Sequence, residues 1–130
     1  MEFRRFKSGQ IIFKDGEPGN EMYVIMSGKV KAYKIINAER IDLGIIEKDS
    51  FFGEMGVFSE DKRQAYVEAI EDTEVLVLNK ETLLERIREN PDFAFRIMTT
   101  MSLRIKDAHQ VISRLEGIKK SLEMMYSTKH

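Results

Sequence analysis

Three residues with complementary chemistry lie close together in residues 52–69, which read FGEMGVFSEDKRQAYVEA. Gly53 permits a sharp turn, and the following EMGVF favours a single helical turn whose free N–H groups attract an anion. Arg63 carries a planar guanidinium that can bind two phosphate oxygens at once. Glu54 only accepts hydrogen bonds, so a ribose hydroxyl is its natural partner. A phosphate and a sugar together indicate a nucleotide. The alternative, which spacing alone favours, is that Glu54 and Arg63 form a surface ion pair and bind no ligand.

The elements that must position these residues follow from the period of the apolar residues, which changes near residue 80. Short apolar runs separated by turn-forming residues predict strands at 11–13, 22–26, 41–45, 65–70 and 75–78. Ile41, Leu43 and Ile45 alternate with Asp42 and Gly44, which predicts that each strand buries one side. Because no helices separate the strands, we expect antiparallel sheets closed into a sandwich, roll or barrel over about residues 8–79.

Residues from about 80 to 126 have helical periodicity. Leu83, Leu84 and Ile87 share one face of a first helix. Asn90-Pro91 then ends that helix, and Pro91 can open the next one. The sequence therefore predicts two consecutive helices after the strands.

The second helix, from roughly 92 to 125, is about 50 Å long at 1.5 Å per residue, longer than a small domain. Apolar positions along it step by four and three residues, as in a coiled coil: Met101, Ile105, Ala108, Ile112 and Leu115. A second register overlaps the first at 111, 115, 118, 122 and 125. We expect this seam to form a homodimer, and the alternative is a solvated helix that frays after Gly117.

Composition excludes several classes of protein. The chain has 130 residues, which suits a single domain. Its formal net charge of −1 does not indicate binding to nucleic acid or to an anionic membrane. It has no cysteine, which rules out disulfides and a cysteine nucleophile and fits a reducing compartment. Neither a signal peptide nor an apolar run of membrane-spanning length is visible, so we expect a cytoplasmic protein.

The segment FGEMGVFSEDKRQAYVEA resembles the phosphate-binding cassette of the cyclic nucleotide-binding domains, the family of the bacterial catabolite activator protein and the kinase regulatory subunits. The upstream GQIIFKDGEPGNEMYVIMSGKVKAYK is similar to the family's first strands and turns, and the downstream ETLLERIRENPDFAFRIMTTMSLRI resembles its hinge and long dimer helix. The match extends over most of the chain. The resemblance implies a double-stranded β-helix, a jelly roll with flanking helices. It also favours a nucleotide-binding site over a surface ion pair between Glu54 and Arg63.

The resemblance also implies roles for individual residues. Glu54 matches the residue that binds the ribose 2′-hydroxyl, Arg63 matches the phosphate arginine, and the backbone around Gly53, Met55 and Ala65 matches the cassette lining. The implied ligand is cAMP or cGMP, with no cofactor. Because a ligand can shift the long helix only through unequal affinity for two arrangements, the helix should contact the pocket. The candidates on the helix are Arg104, Ala108 and His109.

Three features depart from the family pattern. Gln64 stands where a small hydroxyl residue usually contacts the phosphate, so affinity should be weaker than in the best-matched members. Ala108 and His109 stand where the catabolite activator has hydroxyl residues against adenine, which leaves the choice between cAMP and cGMP open; His109 also fits an ordinary exposed helix residue. The sequence stops at His130, where family transcription factors continue into a helix-turn-helix domain, so we expect no direct DNA binding.

Other classes of function fit the residues less well. The histidines are His109 and His130, neither in the β-rich part, so a metal site or a catalytic triad cannot be assembled. Six Lys or Arg residues in 96–120 are typical of a solvated helix face. The main alternative keeps the fold without a cyclic nucleotide, as a structural dimerisation module or a sensor of another ligand. Which protein partner reads the signal stays open.

Overall fold

The computed structural model describes residues 1–127, and the chain divides into two compact units, residues 1–89 and the residues from 90 onward. Within residues 1–89, eight strands form two antiparallel sheets of four strands each. The first sheet has the order β1 (Glu2–Phe6), β8 (Thr73–Leu78), β3 (Met22–Ser27) and β6 (Phe51–Phe52). The second has the order β2 (Ile11–Phe13), β7 (Tyr66–Ala69), β4 (Lys29–Ile36) and β5 (Glu39–Glu47).

One hydrophobic core joins the two sheets. Its buried members come from both sheets: Tyr23, Ile25, Phe52, Val75 and Val77 from the first, and Val30 and Val67 from the second. Phe13 and Ala32, on the second sheet, pack against this cluster. The predicted fold class, mainly β with helices at the C-terminal end, is confirmed.

The expectation that every strand buries one side is wrong for β5. Ile41, Leu43 and Ile45 are 41%, 55% and 61% exposed, and Ile46 is the β5 residue that packs against the core. Two causes combine. β5 is the edge strand of its sheet, and its pairing with β4 shifts at Leu43, where a bulge interrupts the alternation of the two faces.

Apolar runs did not predict β1, β4 or β6, so the roll begins at Glu2 instead of near residue 8. In β1, charged residues occupy three of the five positions, and in β4 lysines occupy three of the first six. β6 has two residues, both buried. Strands of these kinds carry little apolar signal, and their neighbours in the sheet decide their conformation.

Three helices follow the predicted positions: α1 (Glu54–Phe58), α2 (Lys80–Glu89) and α3 (Asp92–Ser127). α2 ends directly before Asn90-Pro91, as expected from the loss of the proline N–H. On α2, however, the predicted apolar face is narrower than expected, because Leu83 is buried, Ile87 is half-buried and Leu84 is exposed.

α3 (Asp92–Ser127) is the long helix predicted from the apolar spacing. It has 36 residues, about 54 Å at 1.5 Å per residue. Phe93 and Ile97 in its first two turns are buried, whereas every residue from 105 to 127 is exposed. The seam residues Ile105, Ile112 and Leu115 are 58%, 55% and 60% exposed, so this helix presents a long apolar stripe.

Candidate functional site

The predicted cassette begins where β6 passes into α1. Gly53 occupies the N-cap position of α1 with φ 79°, in the left-handed region that other residues enter only at a cost. This conformation turns the chain sharply enough for α1 to start at Glu54. The single helical turn predicted from EMGVF is therefore present, and glycine is required at its start.

Arg63 is the central residue of the site and is only 6% exposed. Its Nη1 donates hydrogen bonds to the carbonyl oxygens of Glu21, at 2.9 Å, and Gly53, at 3.0 Å. Its main chain is fixed as well, because Arg63 N donates to Glu17 O and Arg63 O accepts from Gly16 N. The guanidinium is thus held by the main chain of the loop between β2 and β3, at Glu21, and of the cassette, at Gly53.

Aromatic rings lie beside the same guanidinium. Cζ of Arg63 lies 4.3 Å from the ring centroid of Phe13 and 5.7 Å from that of Tyr23. Phe13, Tyr23 and Phe52 pack together with centroids 5.0 to 6.0 Å apart. Burial raises the pKa of Tyr23, and the positive charge of Arg63 opposes that shift. Tyr23 therefore stays neutral at physiological pH and gives Arg63 no counter-charge.

Within residues 1–127, no carboxylate lies within ion-pair distance of Arg63, so the predicted alternative of a surface ion pair with Glu54 is wrong. Both hydrogen bonds that the guanidinium makes to described residues come from Nη1. Carbonyl dipoles and aromatic faces stabilise a buried cation only in part, because its desolvation is expensive. This arrangement suits an anionic ligand that contacts the guanidinium.

The other predicted cassette residues differ in how exposed they are. Glu54 is half-buried at the first position of α1, and Ala65 is half-buried just before β7. Met55 is exposed, on the first turn of α1. Gln64 is exposed, and its Nε2 donates to the carbonyl oxygen of Lys62 at 3.1 Å, so its amide is turned back towards its own loop.

The predicted helix residues belong to the second unit. Arg104 is half-buried, whereas Ala108 and His109 are exposed on α3. Their participation in a site with the cassette stays a prediction. His130 lies outside the described residues.

Four residues that contact the guanidinium of Arg63 were not predicted from the sequence. Glu21 contributes its main-chain oxygen, which no side-chain pattern can reveal. Phe13 and Tyr23 were interpreted only as strand residues. Gly19, in the GEPGN turn, packs against the guanidinium. The one available signal was the glycine at position 19, in a turn that already has glycine at 16.

The fold and the site together define a β-roll module with a buried arginine held by main-chain carbonyl oxygens. The family model of the cyclic nucleotide-binding domain matches residues 3–90, so the chain belongs to the cyclic nucleotide-binding domain family. The family resemblance noted in the sequence is thereby confirmed, and the chain is a regulatory domain of this type.

Individual relatives agree with this assignment. The chain is 32% identical over 106 residues to the cyclic AMP receptor protein of Thermus thermophilus, covering 81% of this chain and 49% of that protein. The crystal structure of the Thermus thermophilus catabolite activator protein superposes with a TM-score of 0.79 at 30% identity, covering 88% of this chain and 55% of the other.

An EAL enzyme has a similar domain in two ligand-bound structures. Its cAMP-bound form gives a TM-score of 0.62 at 28% identity, covering 94% of this chain and 33% of that one. Its cGMP-bound form gives a TM-score of 0.61 at 30% identity, covering 80% of this chain and 28% of the other.

The chain spans about half the length of the curated regulators that it matches. Among residues 1–127, no helix combines the length and the apolarity needed to cross a membrane.

Proposed function

We propose that this chain is a cytoplasmic sensor domain that binds cAMP or cGMP in its β-roll and passes the signal through α3. The observation that carries the proposal is the state of Arg63, a buried cation held by carbonyl oxygens, with no carboxylate in ion-pair distance among residues 1–127. A cyclic phosphate carries a single negative charge, which complements a single guanidinium.

The ligand's sugar supports the same proposal. Glu54 begins α1 directly after Gly53, whose carbonyl oxygen accepts a hydrogen bond from Arg63. A carboxylate so near a phosphate site is repelled by the anion unless it accepts a hydrogen bond from another part of the ligand. The 2′-hydroxyl of a ribose is adjacent to the 3′,5′-cyclic phosphate and can donate that bond.

We propose that residues of α3 discriminate between the adenine of cAMP and the guanine of cGMP. Arg104, Ala108 and His109 are the proposed contacts, and His109 and Arg104 offer hydrogen-bond donors where a purine edge presents acceptors. The similar EAL enzyme has both cAMP-bound and cGMP-bound structures, which supports keeping both ligands in the proposal.

Signal output is proposed to run through a homodimer of α3. The stripe of Met101, Ile105, Ala108, Ile112 and Leu115, half-buried at Met101 and exposed at the other positions, has the 4-3 spacing of a coiled-coil seam. A ligand that contacts both the cassette and this helix changes the helix equilibrium by the difference in its affinity for two arrangements. DNA binding and catalysis are not part of the proposal for this segment.

The second candidate is a dimerisation module that binds no cyclic nucleotide. The observation that favours it is the amide of Gln64, which bonds Lys62 O and so is not directed at the guanidinium. Under this alternative the seam of α3 is retained and the buried arginine is structural.

Calorimetric titration of the purified chain with cAMP and with cGMP separates the two candidates. We expect saturable binding of at least one ligand at micromolar to sub-millimolar concentration, and loss of most of the affinity in Arg63→Ala. The module without a ligand is supported if neither compound gives heat or a melting shift at millimolar concentration.

A further inference from the structure

The guanidinium of Arg63 is packed against the turn between β2 and β3 as tightly as against the cassette. A Cβ atom placed on Gly19 would lie within 2.5 Å of Cζ and Nη2 of Arg63. Gly53 is close too, since a Cβ there would lie 2.9 Å from Nη1. A Cβ on Gly56, in α1, would overlap the carbonyl oxygen of Gly19 and lie 3.1 Å from Nη1.

The reasons for glycine differ among these positions. Gly53 has φ 79°, so its backbone already requires glycine. Gly19 and Gly56 do not have a positive φ, and any residue can adopt their backbone conformations. At Gly19 the requirement is spatial: the space that a side chain would fill is occupied by the end of Arg63.

From this geometry we propose that Gly19 is the positioning residue for Arg63, an inference that rests on the proposed cyclic nucleotide function. Arginine has many rotamers, and ordering them when the ligand arrives weakens binding. Here the Nη1 bonds fix one end of the guanidinium, the ring of Phe13 lies beside it, and the backbone at Gly19 lies against its Nε, Cζ and Nη2 atoms. The arginine is therefore ordered before the phosphate arrives.

Substitutions at Gly19 and Gly56 should consequently have different effects. The atoms that a methyl group on Gly19 meets belong to a flexible side chain, so Gly19→Ala displaces the guanidinium and leaves the backbone in place. A methyl group on Gly56 meets a backbone carbonyl, which must move, so Gly56→Ala lowers stability. Gly19→Ala therefore moves the guanidinium of Arg63 without removing its charge.

The test compares Gly19→Ala with Gly117→Ala, a glycine in α3 around which a Cβ meets nothing within 4 Å. We expect Gly19→Ala to weaken cAMP or cGMP binding at least tenfold with an almost unchanged melting temperature, while Gly117→Ala binds as wild type. The small melting shift of Gly19→Ala should vanish in the Arg63→Ala background, because the overlapping group is then gone. Wild-type affinity in Gly19→Ala, or a drop in melting temperature that persists in the Arg63→Ala background, overturns the inference.

A second measurement keeps the inference testable if wild type binds neither nucleotide and the proposed function fails. In ligand-free protein, the Nε–H resonance of Arg63 should be shifted by the ring current of Phe13 in nuclear magnetic resonance spectra. We expect that shift in wild type and in Gly117→Ala, and its loss in Gly19→Ala. An unchanged Nε–H resonance in Gly19→Ala means that Gly19 does not position Arg63, whatever the ligand.

Discussion

Arg63 donates a hydrogen bond of 2.9 Å from Nη1 to the carbonyl oxygen of Glu21, a residue 42 positions earlier in the chain. This bond joins the cassette to the residue directly before β3, a strand of the first sheet. It uses the Nη1 corner of the guanidinium, and Gly19 packs against the Nε, Cζ and Nη2 atoms. A main-chain acceptor carries no negative charge, so this bond does not neutralise the charge of Arg63.

The first prediction concerns the shape of the cation at position 63. Arg63→Lys keeps the charge but removes the planar fork and cannot bond two carbonyl oxygens and a phosphate with the same geometry. We expect a loss of about 10- to 100-fold in cyclic nucleotide affinity, or about 1.4–2.7 kcal/mol, measured by calorimetry.

Arg40→Lys is the matched control for this substitution. Arg40 stacks on Tyr33, with Cζ 3.6 Å from the ring centroid, on β5 instead of in the cassette. It should bind cyclic nucleotide as wild type does. Equal affinity in Arg63→Lys and wild type would contradict a bidentate phosphate contact.

Burial of Arg63 also determines what its removal does to folding. The two carbonyl oxygens that Arg63 binds would lose their partner, at about 1–3 kcal/mol each if they stay buried, whereas removing an uncompensated charge is favourable. Because these effects oppose each other, Arg63→Lys is the cleaner test of binding.

Local chemistry explains which parts of the molecule were predictable from sequence. Gly53 and the turn after it, and the helix boundary at Pro91, depend on backbone preferences of one or two residues. The exposure of Ile45 and the burial of Arg63 depend on which strand is at the sheet edge and on which loops meet. Those arrangements are tertiary, and no local pattern encodes them.

A pH dependence is predicted from Tyr23. Burial raises the pKa of Tyr23, so the native state keeps this proton at a pH where the unfolded chain, with a pKa of about 10, has lost it. The stability that Tyr23 contributes is fully present below pH of about 10 and falls as pH rises further. In chemical denaturation between pH 9 and 11, Tyr23→Phe should reduce the slope of the unfolding free energy against pH. Identical slopes for the two proteins would contradict this.

A stability prediction follows from the turn between β4 and β5. Asn37 and Ala38 both have positive φ, 53° and 65°, as a type I′ turn requires. Alanine is strained in this region and glycine is not, although glycine also increases the entropy of the unfolded chain. Ala38→Gly should therefore stabilise the protein by about 0.5–1 kcal/mol in urea denaturation. As a control, Ala94→Gly within α3 should destabilise it, and a destabilised Ala38→Gly would contradict the strain at this turn.

The role of Glu54 is tested with two ligands. Glu54→Gln should weaken binding of the preferred ribonucleotide by about tenfold, since the carboxylate accepts a charge-assisted hydrogen bond from the 2′-hydroxyl. Binding of the 2′-deoxy analogue should change far less, because it lacks the donor. Calorimetry with both ligands gives the comparison. Glu60→Gln, in the exposed loop after α1, serves as the control and should affect neither ligand. Equal losses for the two ligands would mean that Glu54 acts through the fold and not through the ribose.

The last prediction concerns the seam of α3. Ile112 is 55% exposed in the single chain, and Ile105 and Leu115 continue the stripe on either side of it. Because a coiled coil buries such positions, Ile112→Glu places a charge in an apolar interface and should weaken dimerisation at least 100-fold. Sedimentation at about 10 μM should then give a dimer for wild type and a monomer for Ile112→Glu. Ser113→Glu, one residue off the seam and exposed, should remain a dimer. A wild-type protein that stays monomeric up to about 100 μM would show that this stripe does not pair with a second copy of the chain.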